Sequence, residues 1–114
     1  MLDKRSHLRV SVRLPVCCVA GGRVTVAGFV TDISLGGSCV RSDERLPHGT
    51  KVTMVVRLPG ADHESRMPGI VRWTAPGYFG VEFSGVEARD TYYITNLMRV
   101  SLRSAPPSAG EPEV

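Results

Sequence analysis

Long apolar runs are missing from this chain: nothing in its 114 residues approaches the roughly 20 consecutive apolar positions that cross a bilayer. Membrane insertion is therefore not expected. The start, Met1-Leu2-Asp3-Lys4-Arg5, lacks the apolar stretch of a signal peptide, which makes a cytoplasmic protein the expectation. Cysteine is scarce, and Cys17, Cys18 and Cys39 have no metal-ligand spacing; two neighbours on a strand diverge to opposite faces, so these are expected to be reduced thiols packing as small hydrophobes. His7, His48 and His63 share no spacing that suggests metal or catalysis. Ser34 has no evident His–Asp arrangement, the cysteines have no assigned base, and no Gly-rich phosphate loop with its lysine occurs, so an enzyme is not expected. Aromatics make up only 6%, which hardly provides the interleaved stacking platforms of a nucleic-acid barrel.

What is present is alternation. Val10, Val12, Leu14, Val16 and Cys18 fall on one face of a strand, with Ser11, Arg13 and Cys17 opposite. Pro15 has no N–H and calls for an edge position or a local bulge. Gly21-Gly22 predicts a tight hairpin turn. The second strand runs from about Arg23 to Ser34, with Val24, Val26, Gly28 and Val30 on the face that continues to Asp32, and Phe29, Thr31 and Ile33 on the other. Short strands follow around Cys39–Arg41, Thr50–Leu58, Ser65–Thr74 (weakened by Pro68-Gly69) and Tyr78–Ser84. Six antiparallel strands at short spacing predict an all-β protein, a small closed or partly closed six-stranded antiparallel β-barrel. Ser84 with Glu87 has the form of a capping box, with Asp90 as a rival cap; Ile94, Leu97, Met98 and Leu102 then recur at helical spacing, giving a C-terminal α-helix. The expected organisation is an amino-terminal arm over residues 1–9, barrel plus helix over 10–103, and a disordered Pro-rich tail over 104–114.

The formal charge is +3, and Lys4, Arg5, Arg9 and Arg13 crowd the start of the chain, which favours a phosphate-bearing partner. Arg5 and Arg9, four apart, share a face in helix or strand and make a bidentate clamp for phosphate or for the O6/N7 edge of guanine. Further on, Thr31-Asp32-Ile33-Ser34-Leu35-Gly36-Gly37-Ser38 ends an alternating strand in a polar rim. In a regular strand Asp32 and Ser34 share a face, a carboxylate there accepts from guanine N–H donors, and Gly36 and Gly37 allow positive φ or close approach of a backbone or ligand. Arginines with a carboxylate and a hydroxyl describe a site for guanine carrying phosphate.

The RxxxR of Arg5 and Arg9, followed by the DxSxxG of Asp32, Ser34 and Gly37 and by Gly80-Val81-Glu82-Phe83 before a helix, resembles the PilZ family of bacterial cyclic di-GMP receptors over roughly residues 4 to 103. That resemblance implies a PilZ-like barrel in which Arg5, Arg9, Asp32, Ser34 and Gly37 hold cyclic di-GMP, with no separate cofactor. Gly36 and Trp73 are secondary candidates, since some members place an aromatic on that strand. Lys4 occupies the place that affects ligand stoichiometry in the family, and one molecule or a stacked pair is left open. The expected mechanism is an arm that is mobile without ligand and is pinned to the barrel by it, presenting a surface to an effector protein in motility, exopolysaccharide or biofilm control. An adaptor with the same fold but no nucleotide, and a small nucleic-acid-binding barrel, are the alternatives. Whether Arg13 and Arg41 extend the site is open.

Overall fold

The computed structural model describes residues 9–44 and 46–104, with side chains to residue 100. Lys4, Arg5, the expected tail apart from Ser104, which ends the C-terminal helix, and the side chains of Leu102 and Arg103 therefore lie outside the described residues. Six strands form a closed barrel: β1 (Val10–Ala20), β2 (Arg23–Ile33), β3 (Gly37–Arg41), β4 (Lys51–Val56), β5 (Ser65–Ala75) and β6 (Tyr78–Phe83), followed by one helix, α1 (Ala88–Ser104). The order around the barrel is β1-β2-β3-β6-β5-β4, with every neighbouring pair antiparallel.

The β1–β2 hairpin closes on Gly21 and Gly22, whose φ values of 66° and 86° are those of a type I′ turn, the two-residue turn that matches strand twist. Inward-facing Val16, Cys18, Val26, Val30, Val40, Met54, Val71 and Phe79 fill the barrel, and Ile94 of α1 joins them, fully buried. Tyr93, Leu97 and Met98 pack partly against the same core. Each such side chain contributes about 1.5–3 kcal/mol of burial, so the helix is held by its apolar stripe rather than by propensity. Cys18 is enclosed, and burial pushes its thiol up to about 12, while Cys17 and Cys39 are half-buried and all three are free.

The regular alternation expected of β2 does not survive to its end. Opposite Val40 and Cys39 of β3 stand Val30 and Asp32, so Thr31 is an extra residue, a β-bulge. The bulge resets the faces: Val26, Val30 and Ile33 all point into the core, and Asp32 stays outside. Ile33 is thus core, contrary to strict period two, and Val24 lies 62% exposed near the hairpin tip. Another bulge separates Val71 from Trp73 in β5 and leaves both Arg72 and Trp73 exposed.

Pro15 occupies no edge strand, because the barrel is closed, but it lies one residue past the last β1–β4 pair, Val16↔Val56. There β1 has a neighbour on one side only. The helix start also differs from both expected caps. The Thr91 N–H donates to the Glu87 carbonyl at 2.9 Å, which makes Glu87 the cap position; the Ser84 N–H instead donates to Pro68 O at 2.8 Å. Asp90 sits inside the first turn, 1% exposed, and accepts the Ser65 hydroxyl at 2.6 Å. A tertiary bond to the first residue of β5, rather than a local cap, sets where the helix begins.

Candidate functional site

The DxSxxG turn is built from its backbone. The Ser34 hydroxyl accepts the N–H groups of Gly36 at 3.1 Å and Gly37 at 3.2 Å and donates to Gly37 O at 3.3 Å, while the Ser34 N–H donates to the same carbonyl at 2.8 Å. Ser34 is 3% exposed, so it does not share the open face of Asp32; it staples the turn that ends β2. Neither Gly36 nor Gly37 takes positive φ. Gly37 is required by close approach instead: a Cβ there would lie 2.3 Å from the Val81 carbonyl oxygen of β6. Gly36 offers its carbonyl to the Phe83 N–H at 2.9 Å. The turn thus fixes β3 against β6, and it places Gly80-Val81-Glu82-Phe83 beside the motif.

That placement creates a row across the outside of the barrel. Ser11 pairs with Asp32, Asp32 with Cys39, Cys39 with Gly80, and Gly80 with Trp73. Directly opposed residues share a face, and three strand intervals span about 14 Å from Asp32 to Trp73. At one end the Arg9 guanidinium is hydrogen-bonded and ion-paired to the Asp32 carboxylate, with side chains 49% and 31% exposed. At the other end the indole of Trp73 lies across Gly80, where a Cβ would stand 2.0 Å from its Nε1. Glycine at position 80 therefore lets the indole lie flat on β6 while it stays 45% exposed. Cys39, half-buried, lies between the two ends.

Chemically the row offers a planar aromatic shelf, a carboxylate that accepts N–H donors, and a forked guanidinium. An exposed ion pair contributes only about 0–1 kcal/mol, so Arg9 and Asp32 can turn their hydrogen-bonding groups to a ligand at little cost. Of the sequence candidates, the structure brings Arg9 and Asp32 into contact, puts Trp73 on the same row, and assigns Ser34, Gly36 and Gly37 to the turn behind it. Gly80 and Cys39 belong to the row and were missed as site residues; the signal for Gly80 was its place in Gly80-Val81-Glu82-Phe83, which carries no side chain to suggest a role. His48 is exposed and His63 pairs with Asp62, both away from the row.

A small closed six-stranded antiparallel barrel carrying one C-terminal helix and a polar-aromatic outer row is the class these features define. The PilZ domain family model matches residues 3–99, and the chain belongs to that family. No curated protein sequence matches it. Among solved structures, the Bacillus subtilis inhibitor of motility MotI/DgrA aligns with a TM-score of 0.72 at 20% identity, over 90% of this chain and 54% of that one. The PilZ domain of YcgR from Escherichia coli, solved with c-di-GMP, aligns with a TM-score of 0.66 at 15% identity, over 94% of this chain and 98% of that one. The PilZ domain of CeSA from a cellulose-synthesizing bacterium gives a TM-score of 0.62 at 21% identity, over 82% and 96% of the two chains. The chain spans about half the length of MotI/DgrA, and at these identities the likeness is one of fold.

Proposed function

We propose that this chain is a cyclic di-GMP receptor that acts as an adaptor toward a partner protein. The observation that carries it is the outer row in which Arg9 and Asp32 meet and Trp73 is seated on bare Gly80. A guanine stacked on the indole directs its edge along the row, where Asp32 accepts its N–H donors; Arg9 meets O6/N7 or a phosphate oxygen. Lys4 and Arg5, which precede Arg9, would add cations from the amino-terminal side. A ligand touching both Arg5 and the barrel row ties the start of the chain to the face of β2 and β3, giving a composite surface for a partner to read. Family membership supports this reading, as does the YcgR neighbour solved with c-di-GMP. The motility inhibitor among the neighbours supports a role in motility, with exopolysaccharide or biofilm control as related outputs. Among the described residues no helix is long and apolar enough to cross a membrane; we place the protein in the cytoplasm, as a binding module without a catalytic step.

The test is calorimetric titration with cyclic di-GMP, with GTP and cyclic di-AMP as controls. Selective binding is expected, with Asp32→Ala and Arg9→Ala each weakening it by about five- to 150-fold, the equivalent of 1–3 kcal/mol. A folded Arg9→Ala protein that binds as tightly as wild type would sink the assignment.

A further inference from the structure

Two residues further along β3 and β6, about 7 Å from the row just described, a second row crosses the same outer face. Phe29 pairs with Arg41, and Arg41 with Tyr78. The Arg13 guanidinium lies over the Phe29 ring at 4.3 Å, and that of Arg41 over the Tyr78 ring at 5.6 Å, donating to its hydroxyl at 3.1 Å. Cation and ring thus alternate across β1, β2, β3 and β6. A guanidinium laid on a ring is held flat and keeps N–H donors at its edge, the form that meets phosphate oxygens in pairs.

Charge decides what this row is for. Within the described residues Arg9 is neutralised by Asp32 and Arg72 by Glu82, whereas Arg13 and Arg41 form no ion pair there, although Asp43 and Glu44 follow Arg41 in the chain. A cyclic dinucleotide brings two phosphates, and within the described residues the first row, with Arg9 paired to Asp32, offers no net charge to meet them. We propose that Arg13 and Arg41 form a second anion subsite on this face, holding phosphate oxygens of the dinucleotide beyond the reach of Arg9. The proposal rests on the cyclic di-GMP reading above and assigns two residues that lie outside both sequence motifs.

The test is calorimetric titration of the full chain with cyclic di-GMP at low and high salt. Wild type is compared with Arg13→Gln/Arg41→Gln, Arg13→Lys/Arg41→Lys and Arg23→Gln/Arg66→Gln. The last removes the same charge elsewhere, at the start of β2 and on the part of β5 paired with β4. The Arg13/Arg41 variant is expected to lose about tenfold or more in affinity and much of its salt dependence, while the control stays within about twofold of wild type. Arg13→Lys/Arg41→Lys, which keeps charge without the flat fork, recovers only part of the loss. Should the double Gln variant fold poorly, Tyr78→Phe, which removes only the hydroxyl holding Arg41, still reports, with an expected loss of about two- to fivefold. Wild-type affinity in the Arg13/Arg41 variant, or an equal loss in the control, overturns the subsite and leaves the row to an acidic protein partner. Absence of binding by wild type overturns the receptor reading and the subsite together.

Discussion

Single atoms decide much of the outer face. A methyl group at Gly37 meets a backbone carbonyl at 2.3 Å, which moves only if β3 and β6 separate, whereas one at Gly80 meets the far end of the Trp73 side chain, which can swing. Gly37→Ala is therefore expected to cost about 1–3 kcal/mol in urea unfolding, and Gly80→Ala distinctly less, while Gly80→Ala weakens ligand binding by lifting the shelf. Equal stability losses would contradict the close-approach account of the motif glycine. Cys18 makes a pH prediction. Its thiol has a folded pKa of about 12 against an ordinary 9.0, so the unfolded chain gives up this proton first as pH rises. Stability from this group is complete below about pH 9 and falls between 9 and 12, by at most about 1.4 kcal/mol per pH unit. Cys18→Ser, whose hydroxyl does not ionise there, should flatten that part of a pH–stability curve measured by urea unfolding.

Elements obey the sequence period except where an extra residue intervenes. The six strands and the helix were legible because alternation and the apolar spacing of Ile94, Leu97 and Met98 are local signals. The bulges at Thr31 and Arg72 were not, because an inserted residue leaves composition unchanged and appears only against the partner strand. For that reason strict alternation puts Ile33 on the face opposite Val26 and Val30, whereas Ser34 leaves the face of Asp32 because β2 ends at Ile33 and its hydroxyl turns in to the Gly36 and Gly37 N–H groups. The helix start was illegible for a related reason: Asp90 looks like a cap until Ser65, 25 positions away, is seen to bond it. Asp90→Ala leaves a buried Ser65 hydroxyl without its acceptor and should cost about 1–3 kcal/mol by chemical denaturation; the double change with Ser65→Ala should recover part of it.

For the molecule as a whole, barrel closure by β1–β4 pairing makes the outer face a property of strand order. The motif spacing showed Arg9 and Asp32 as candidates, but β3–β6 pairing brings Gly80 onto their row and Arg41 onto Tyr78, β5–β6 pairing adds Trp73, and the β1–β2 hairpin sets Arg13 on Phe29. If the face binds cyclic di-GMP only when folded, ligand at a hundredfold excess over Kd stabilises the chain by about 2.7 kcal/mol, a rise in Tm of several degrees by calorimetry. Asp32→Ala should abolish most of that rise at the same ligand concentration.

Trp73 is the chain's only tryptophan, and it lies half-exposed over Gly80 at one end of the row. Excited at a wavelength that tyrosine does not absorb, the protein therefore emits from one place, and that place is where a purine would stack. Its fluorescence is an intrinsic reporter of the face: a stacked base quenches it in proportion to occupancy, and events at β4 or the far side of α1 pass unseen.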